Sequence, residues 1–179
     1  MNFCSNCSAK VELRVPDGDN VARFVCPACH TIHYRNPLLV IGAIPEWEDR
    51  ILLCKRAIEP RYGYWTLPAG FMELGETTEQ AALRETYEEA LARVELGELF
   101  TMLSVPRANQ VHLFFRARLL DLDFGAGSES LEVALFREQD VPWPELAFGT
   151  ISTTLRYFYE DRKRGEYRLH GGPVPLPGG

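Results

Sequence analysis

Two C-x2-C pairs, Cys4–Cys7 and Cys26–Cys29, stand 18 residues apart near the start of the chain. That spacing fits the paired-knuckle pattern of a tetrahedral zinc site. Each C-x2-C turn brings two sulfurs to one ion, and the insert between them can fold back as a hairpin. "PDGDN" at 16–20 supplies residues suited to that turn. Two disulfides or a redox dithiol are the competing readings. A reducing compartment disfavours disulfides, and two matched pairs exceed what a redox motif needs. Cys4, Cys7, Cys26 and Cys29 are therefore the expected Zn2+ ligands. Four cysteines complete the set, which leaves His30 and His33 outside it and no coordination position open for catalysis. Residues 1–36 read as a zinc ribbon whose folding depends on its metal and whose role is structural or dimerising.

The remaining chain is long enough for one domain with its own core, given a composition of 46% hydrophobic and 25% charged residues. "LLVIGAIPEW" and "ILLCKRAI" flank "EDR" as a β-hairpin, with Cys54 expected in the core. "PRYGYWTLPAG" at 60–70 has the Gly and Pro content of a shaped loop. A helix follows it, with Thr77 as N-cap and Gln80 completing a capping box. "ELFTMLSV" and "QVHLFFRARLL" read as strands around the loop "PRANQ", and "LEVALFRE" as another. A last amphipathic helix is expected from Leu146 to Arg164, with Ile151, Leu155, Phe158 and Tyr159 on its apolar side. The tail, residues 171–179, is too rich in Gly and Pro to pack and is expected to be mobile. Strands interleaved with two helices predict an α/β fold, a mixed sheet sandwiched by helices, over residues 37–170. A net charge of −6 argues against nucleic acid as a partner. No run of roughly 18 apolar residues is present to span a membrane, and no signal peptide is evident, so a cytoplasmic location is expected.

The first helix poses an electrostatic problem. Glu85, Glu88 and Glu89 share one helical face, where like charges weaken a helix by about 0.2–0.5 kcal/mol per pair. The stripe is either a solvated surface or the seat of a cation. Leu83, Thr86, Ala90 and Val94 fall on the opposite side, which predicts that this side packs on the sheet and the acids face outward over the Gly-rich loop. A hard divalent cation such as Mg2+ takes oxygen ligands and would relieve the repulsion. It would also neutralise a diphosphate and acidify a bound water.

Gly70, five residues, Glu76, seven residues and then "RETYEE" at 84–89 resemble the Nudix box, G-x5-E-x7-R-E-U-x-E-E-x-G-U. Thr86, Leu91 and Ala92 depart from the pattern, which suggests a helix that runs slightly further before turning. The resemblance implies a Nudix α/β/α sandwich that hydrolyses a nucleoside diphosphate linked to another group. It implies a Mg2+ or Mn2+ site at Glu85, Glu88 and Glu89 with the backbone of Gly70, and Arg84 orienting a box glutamate. Glu76 is expected to support the loop. The general base is open: Glu88, Glu89, or an acid from the later loop, Glu129 or Glu132, the last two being equally readable as solvated loop residues.

Beyond the box, the ribbon, "LLCKRAIEPRYGYWTLPAGFMELGETT", "ESLEVALF" and "LAFGTISTTL" resemble zinc-ribbon Nudix enzymes described as FAD or ADP-ribose pyrophosphatases. This implies cleavage of FAD to FMN and AMP, or of ADP-ribose to AMP and ribose 5-phosphate. NADH pyrophosphatases carry S-Q-P-W-P-F-P-x-S where this chain has "MLSVPRANQVHLFF", which disfavours an NADH or NAD-cap reading. A non-catalytic nucleotide or RNA sensor is the reading from another class, and the intact box argues against it. A homodimer rests on the resemblance alone. Trp65, Tyr64 and Phe71 can stack on a ring system, Trp65 being equally readable as core. Arg56 and Arg107 can hold phosphates or form surface ion pairs.

Overall fold

The computed structural model describes residues 1–174 and divides into two compact units, Met1–Pro37 and the chain from Leu38 onward. The first holds an antiparallel three-stranded sheet of β1 (Glu12–Arg14), β2 (Arg23–Val25) and β3 (Ile32–His33), ordered β1-β2-β3. Its two knuckles repeat one backbone geometry. Ser8 N donates to Cys4 O and His30 N to Cys26 O, each at 2.9 Å. Cys4 N donates to Ala9 O at 2.8 Å and Cys26 N to Thr31 O at 2.9 Å. The residue after each second cysteine, Ser8 or His30, is left-handed, with φ of 61° and 59°. His30 is thus a turn residue.

The second unit is built on β4 (Leu38–Trp47), β5 (Arg50–Arg56), β6 (Trp65–Thr66), β7 (Ala69–Phe71), β8 (Val94–Val105), β9 (Gln110–Leu119), β10 (Ser130–Arg137) and β11 (His170–Pro173). Six of these run β10-β5-β4-β9-β8-β11, with β6 on β5 and β7 on β4. The pairs β4/β9 and β8/β11 are parallel and the others antiparallel, so the sheet is mixed. Side chains alternate along each strand, and the two faces have separate cores. Ile41 and Phe115 pack with Ala81 and Ala82 of helix α1 (Thr78–Ala90). Ile44, Leu53 and Phe114 pack with Ile151, Leu155 and Phe158 of helix α2 (Gly149–Arg164). This is the α/β/α sandwich.

Local chemistry sets the helix boundaries. Thr77 Oγ1 accepts the N–H of Gln80 at 3.2 Å, and Gln80 Oε1 accepts the N–H of Thr77 at 2.8 Å, a complete capping box. At the other end α1 does not run on as its departures from the box suggested. It stops at Ala90, because Leu91 turns left-handed with φ 51° and donates its N–H to Tyr87 O at 2.8 Å. Helix α2 begins at Gly149, later than the expected Leu146. Pro142 and Pro144 hold Trp143–Glu145 in a short 3-10 turn, and Phe148 remains extended as the N-cap.

Two further expectations are corrected. The inward arc of α1 contains Ala81, Ala82, Glu85, Thr86, Glu89 and Ala90, while Leu83 is exposed. Small alanines let the helix lie close to the sheet, and Glu85 and Glu89 are carried in with them. The acidic stripe therefore does not face outward as a whole; only Glu88 is exposed. The tail is not wholly unpacked either: His170–Pro173 adds β11 beside β8, and Asp161, itself buried, accepts the His170 ring nitrogen at 2.8 Å. Residues 175–179 lie outside the described residues.

Candidate active site

One side chain ties the Gly70–Leu91 segment together. Arg84 grips Glu76 through two parallel bonds, Nε to Oε2 at 3.0 Å and Nη2 to Oε1 at 2.7 Å. Nη2 also donates to the Phe71 carbonyl at 3.1 Å, and Nη1 to Glu85 at 2.6 Å and Glu88 at 3.1 Å. Glu76 in turn accepts the backbone N–H of Glu73 at 2.6 Å. These contacts, Arg84 first, hold its carboxyl below the usual range. Glu76 thereby closes the 71–76 loop onto α1.

Glu85 and Glu88 share the Arg84 guanidinium, whereas Glu89 has no cation within 4.0 Å among the described residues. Glu89 is 6% exposed and accepts one bond, from Ala69 N at 3.3 Å. Burial, reinforced by the charge of Glu85, raises its pKa to about 8, and burial raises that of Glu85 as well. Gly70 lies against the Glu85 carboxylate, in space that a Cβ would fill. Buried carboxylates pushed toward their neutral form, backed by a glycine, suit a hard divalent cation that would keep them ionised. The three glutamates are not drawn together as tightly as the cysteine sulfurs, the one group of potential ligands gathered within 4.8 Å among the described residues. Mg2+ commonly takes only one or two carboxylates and completes its shell with water and substrate phosphates, so an open arrangement suits it.

These side chains form one end of a cleft of about 1020 Å³. Arg56 and Glu129 line it beside them. Arg56 Nε donates to Pro60 O at 2.9 Å, and its guanidinium lies 5.2 Å from the Phe148 ring centre, with no carboxylate within 4.0 Å among the described residues. Glu129 reaches the cleft because the 125–129 loop is fastened to the end of α1. Gly125 N donates to Ala90 O at 2.9 Å, Gly127 N to Glu89 O at 3.0 Å, and Ala57 N to Glu129 O at 2.8 Å. Glu132 is separated from it by the register shift after Ser130 and pairs instead with Lys55 at 3.7 Å, away from the cleft.

In the ribbon, Cys4 and Cys29 sulfurs lie 3.6 Å apart and those of Cys7 and Cys26 3.5 Å. Tetrahedral Zn2+ with bonds of about 2.3 Å places its sulfurs about 3.8 Å apart, so the four fit that ion. Asn6 N and Cys29 N point to Cys4 and Cys26 sulfurs at 3.4 and 3.5 Å. Thr31, through its hydroxyl, holds the Cys29 thiol down to about 5. His33 is buried with Nε2 3.3 Å from Cys4 Sγ, so it touches a ligand without joining the set.

Comparison with known proteins agrees with this geometry. The NUDIX domain family matches residues 37–160, and the family described as Nudix N-terminal, a zinc ribbon, matches residues 2–35. The chain belongs to the Nudix family. Its fold superposes on the crystal structure of a NUDIX hydrolase from Nitrosomonas europaea with a TM-score of 0.94 and 55% identity, over 97% of this chain and 99% of that one. An ADP-ribose pyrophosphatase of Methanocaldococcus jannaschii is 32% identical over 64% of this chain and 69% of its own length. An NAD-capped RNA hydrolase NudC of Vibrio vulnificus is 30% identical over 87% of this chain; the match spans 58% of that protein.

As a Nudix hydrolase, the chain distributes its expected substrate residues unevenly. Phe71, 53% exposed, and Arg56 line the cleft. Trp65 does not: it is 6% exposed, in the core, edge-on to Phe136 at 4.9 Å, and cannot stack on a ligand. Tyr64 lies outside the cleft lining beneath Arg61. Arg107 is exposed on the 3-10 turn Pro106–Ala108 and is not among the lining residues either. Gln110, His112, Phe114, Phe148 and Thr150 do line the cleft; the stretch "LAFGTISTTL" contains Phe148 and Thr150, but it assigned neither a role. Only the parallel pairing of β4 with β9 and the docking of α2 bring them there.

Proposed function

We propose that this Nudix hydrolase cleaves the diphosphate bridge of a nucleoside diphosphate derivative, with Mg2+ or Mn2+ held by Glu85, Glu88 and Glu89 beside the Gly70 backbone. The observation that carries the reading is the meeting of these carboxylates in a large cleft with the Arg56 guanidinium, which has no carboxylate partner among the described residues. A bound cation would supply charge neutralisation at the diphosphate and acidify a water. Arg84 holds Glu85 and Glu88 in place and so positions ligands. Arg56, free of a carboxylate partner, binds a phosphate oxygen. Glu129, facing the cleft from a loop anchored at both ends, accepts the proton of the attacking water. ADP-ribose and FAD are the favoured substrates, the first supported by the name of the archaeal relative. The resemblance of ribbon and hydrolase domain together to a NudC protein supports NAD-type diphosphates as a second reading.

The test is turnover of ADP-ribose, FAD, NADH and NAD-capped RNA with Mg2+ or Mn2+, AMP or the capped-RNA product being quantified. Glu88→Gln and Glu89→Gln are expected to lower kcat at least a hundredfold, and Glu129→Gln to lower it with little change in KM. Absence of turnover across the panel with both cations sinks the proposal.

A further inference from the structure

The chain turns back on itself after α2. It leaves the helix at Gly165, left-handed with φ 73°, and β11 then runs beside β8 at the edge of the sheet. At one end of β11, His170 meets Tyr157 and Asp161 in the C-terminal half of α2. Just past the other end, Val174 meets the first residue of that helix: a Cβ at Gly149 would lie 3.2 Å from a Val174 methyl, and both residues line the cleft. The segment thus spans α2 and ends in the cleft wall. In the order β10-β5-β4-β9-β8-β11 it is the edge opposite β10. Arg56, which ends β5, and Glu129, which precedes β10, belong to the far side. The cleft therefore crosses the sheet from an edge that carries reacting groups to one that carries none.

Little in the sequence of β11 favours a strand. Gly171 and Gly172 have no side chains to pack, Gly172 sits at φ 132°, and Pro173 has no N–H to donate. The segment is held chiefly at its ends. Val174 N donates to Ser104 O at 3.1 Å. His170 Nε2 donates to Asp161 Oδ2 at 2.8 Å, its ring stacks on Tyr157 with centroids 4.2 Å apart, and Phe100 lies edge-on at 5.2 Å. Arg168 N donates to the same Asp161 oxygen at 3.1 Å. Asp161 is 1% exposed, and its Oδ1 has no partner among the described residues. Burial opposes ionisation of this carboxyl, but the bonds from His170 and Arg168 outweigh it and hold the group below the usual carboxylate range. A buried carboxylate whose donors among the described residues are 168 and 170 is an anchor for that segment.

We propose that β11 is a strap that completes the cleft wall at Gly149 and Val174, with His170 on Asp161 as its latch. The latch pair are positioning residues: they act through Val174 on the part of the substrate remote from the reacting phosphorus. The inference rests on the hydrolase reading above. A Gly- and Pro-rich edge strand opens locally at lower cost than the sheet it lies on. Substrate binds the docked form, so apparent affinity scales with the docked fraction. Loss of one bond to a buried carboxylate shifts docking by about tenfold to a hundredfold. Glu85, Glu88 and Glu89 stand on α1 and Glu129 at the opposite edge, so the shift is felt in binding and not in the chemical step. A merely structural role predicts the reverse, a fraction of inactive protein that lowers kcat at constant KM.

The experiment combines hydrogen exchange, read by mass spectrometry, with the kinetics of ADP-ribose and FAD hydrolysis. It compares the full chain with His170→Leu, His170→Gln, Val174→Ala and a chain ending at Leu169. In His170→Leu, residues 170–174 are expected to exchange about tenfold faster or more, while β4 and β9 keep wild-type protection. KM for either substrate that is turned over rises about fivefold or more, with kcat within about twofold of the wild type. The shortened chain sets the upper limit of that rise. His170→Gln, whose amide can donate to Asp161, returns both readouts toward the wild type. Val174→Ala trims the wall without touching the latch and raises KM about threefold through lost apolar contact. Should His170→Leu and the shortened chain fail to fold, Val174→Ala decides, since that position is half-buried and outside the core. Unchanged KM in these variants, or kcat lost at constant KM, overturns the strap and leaves the hydrolase standing. Unaltered exchange of residues 170–174 in His170→Leu overturns the latch. Turnover of neither substrate removes the hydrolase reading and this inference with it.

Discussion

Replacing Gly127 by alanine tests how the 125–129 loop is fastened to α1. A Cβ at residue 127 would overlap the carbonyl oxygen of Glu88 and lie 2.8 Å from the Glu88 carbonyl carbon. These are backbone atoms inside a helix, so no side chain can swing aside to relieve the contact. The loop must lift, which breaks the 3.0 Å bond from Gly127 N to Glu89 O and strains the neighbouring 2.9 Å bond from Gly125 N to Ala90 O. One or two bonds at about 1 kcal/mol each, with overpacking at about 1–3 kcal/mol, give a loss of about 2–5 kcal/mol. For a chain of this size that corresponds to about 4–20 °C in Tm. Gly125→Ala is the control, since a Cβ there would meet only Leu91 Cδ1, at 4.0 Å. Thermal unfolding followed by circular dichroism separates the two variants. Gly127→Ala should also lose activity through displacement of Glu129, whereas Gly125→Ala should match the wild type in both assays. A Gly127→Ala protein that melts within about 1 °C of the wild type would refute the reasoning.

Two further outcomes follow from single groups. Burial holds the folded-state pKa of His112 at about 4, below the ordinary value of about 6.5, so its contribution to stability is complete above pH 6.5 and is lost as pH falls toward 4. Urea unfolding at pH 7.5 and pH 5 should show the wild type losing up to about 2 kcal/mol more than His112→Gln over that interval, and identical pH dependence in the two proteins contradicts it. Removal of zinc by a strong chelator should unfold the ribbon, detected as new proteolytic cleavage between residues 8 and 25, while the tryptophan fluorescence of the second unit, which contains Trp47, Trp65 and Trp143, stays unchanged.

What could be read in the sequence was local, and what could not was carried by packing. The capping box depends on two residues three apart, and Thr77 with Gln80 forms it in full. The hairpin of β4 and β5 and the two knuckles are likewise short-range. The facing of α1 was legible in part: Thr86 and Ala90 pack inward as expected, but Leu83, which outweighs three alanines in apolar size, does not, because alanines are what allow a close approach of helix to sheet. The end of α1 was misread for a related reason. Leu91 is a poor left-handed residue by its own preference, but the bonds from Gly125 and Gly127 to the last carbonyls hold the chain in that turn. Trp65 and Arg107, both chosen for residue type, fail because their strand face and turn point them away from the cleft. Gln110 and His112 carry no signal until β9 is laid parallel to β4, which sets His112 beside Val40.

The crowding of Glu85, Glu88 and Glu89 has a different meaning in three dimensions from the one that helical spacing suggests. Spacing treats the three as equivalent and the repulsion as shared. In the fold Arg84 compensates two of them, since Glu85 and Glu88 both bond to its Nη1 and Glu76 holds the guanidinium in place from the other side. Arg84 is correspondingly pushed to higher pKa, by Glu76 first, and stays charged throughout. Glu89 is left with burial, the field of Glu85, and one backbone N–H. The uncompensated part of the electrostatic penalty is therefore gathered at one carboxylate on the inner wall of the cleft rather than spread along the helix. On the proposed reading, a cation held there would gain most from Glu89 and need not dismantle the Arg84 network that keeps the loop closed. The box arginine thus compensates two of the glutamates, and under the proposed function the last acid is the one whose penalty a metal would relieve most.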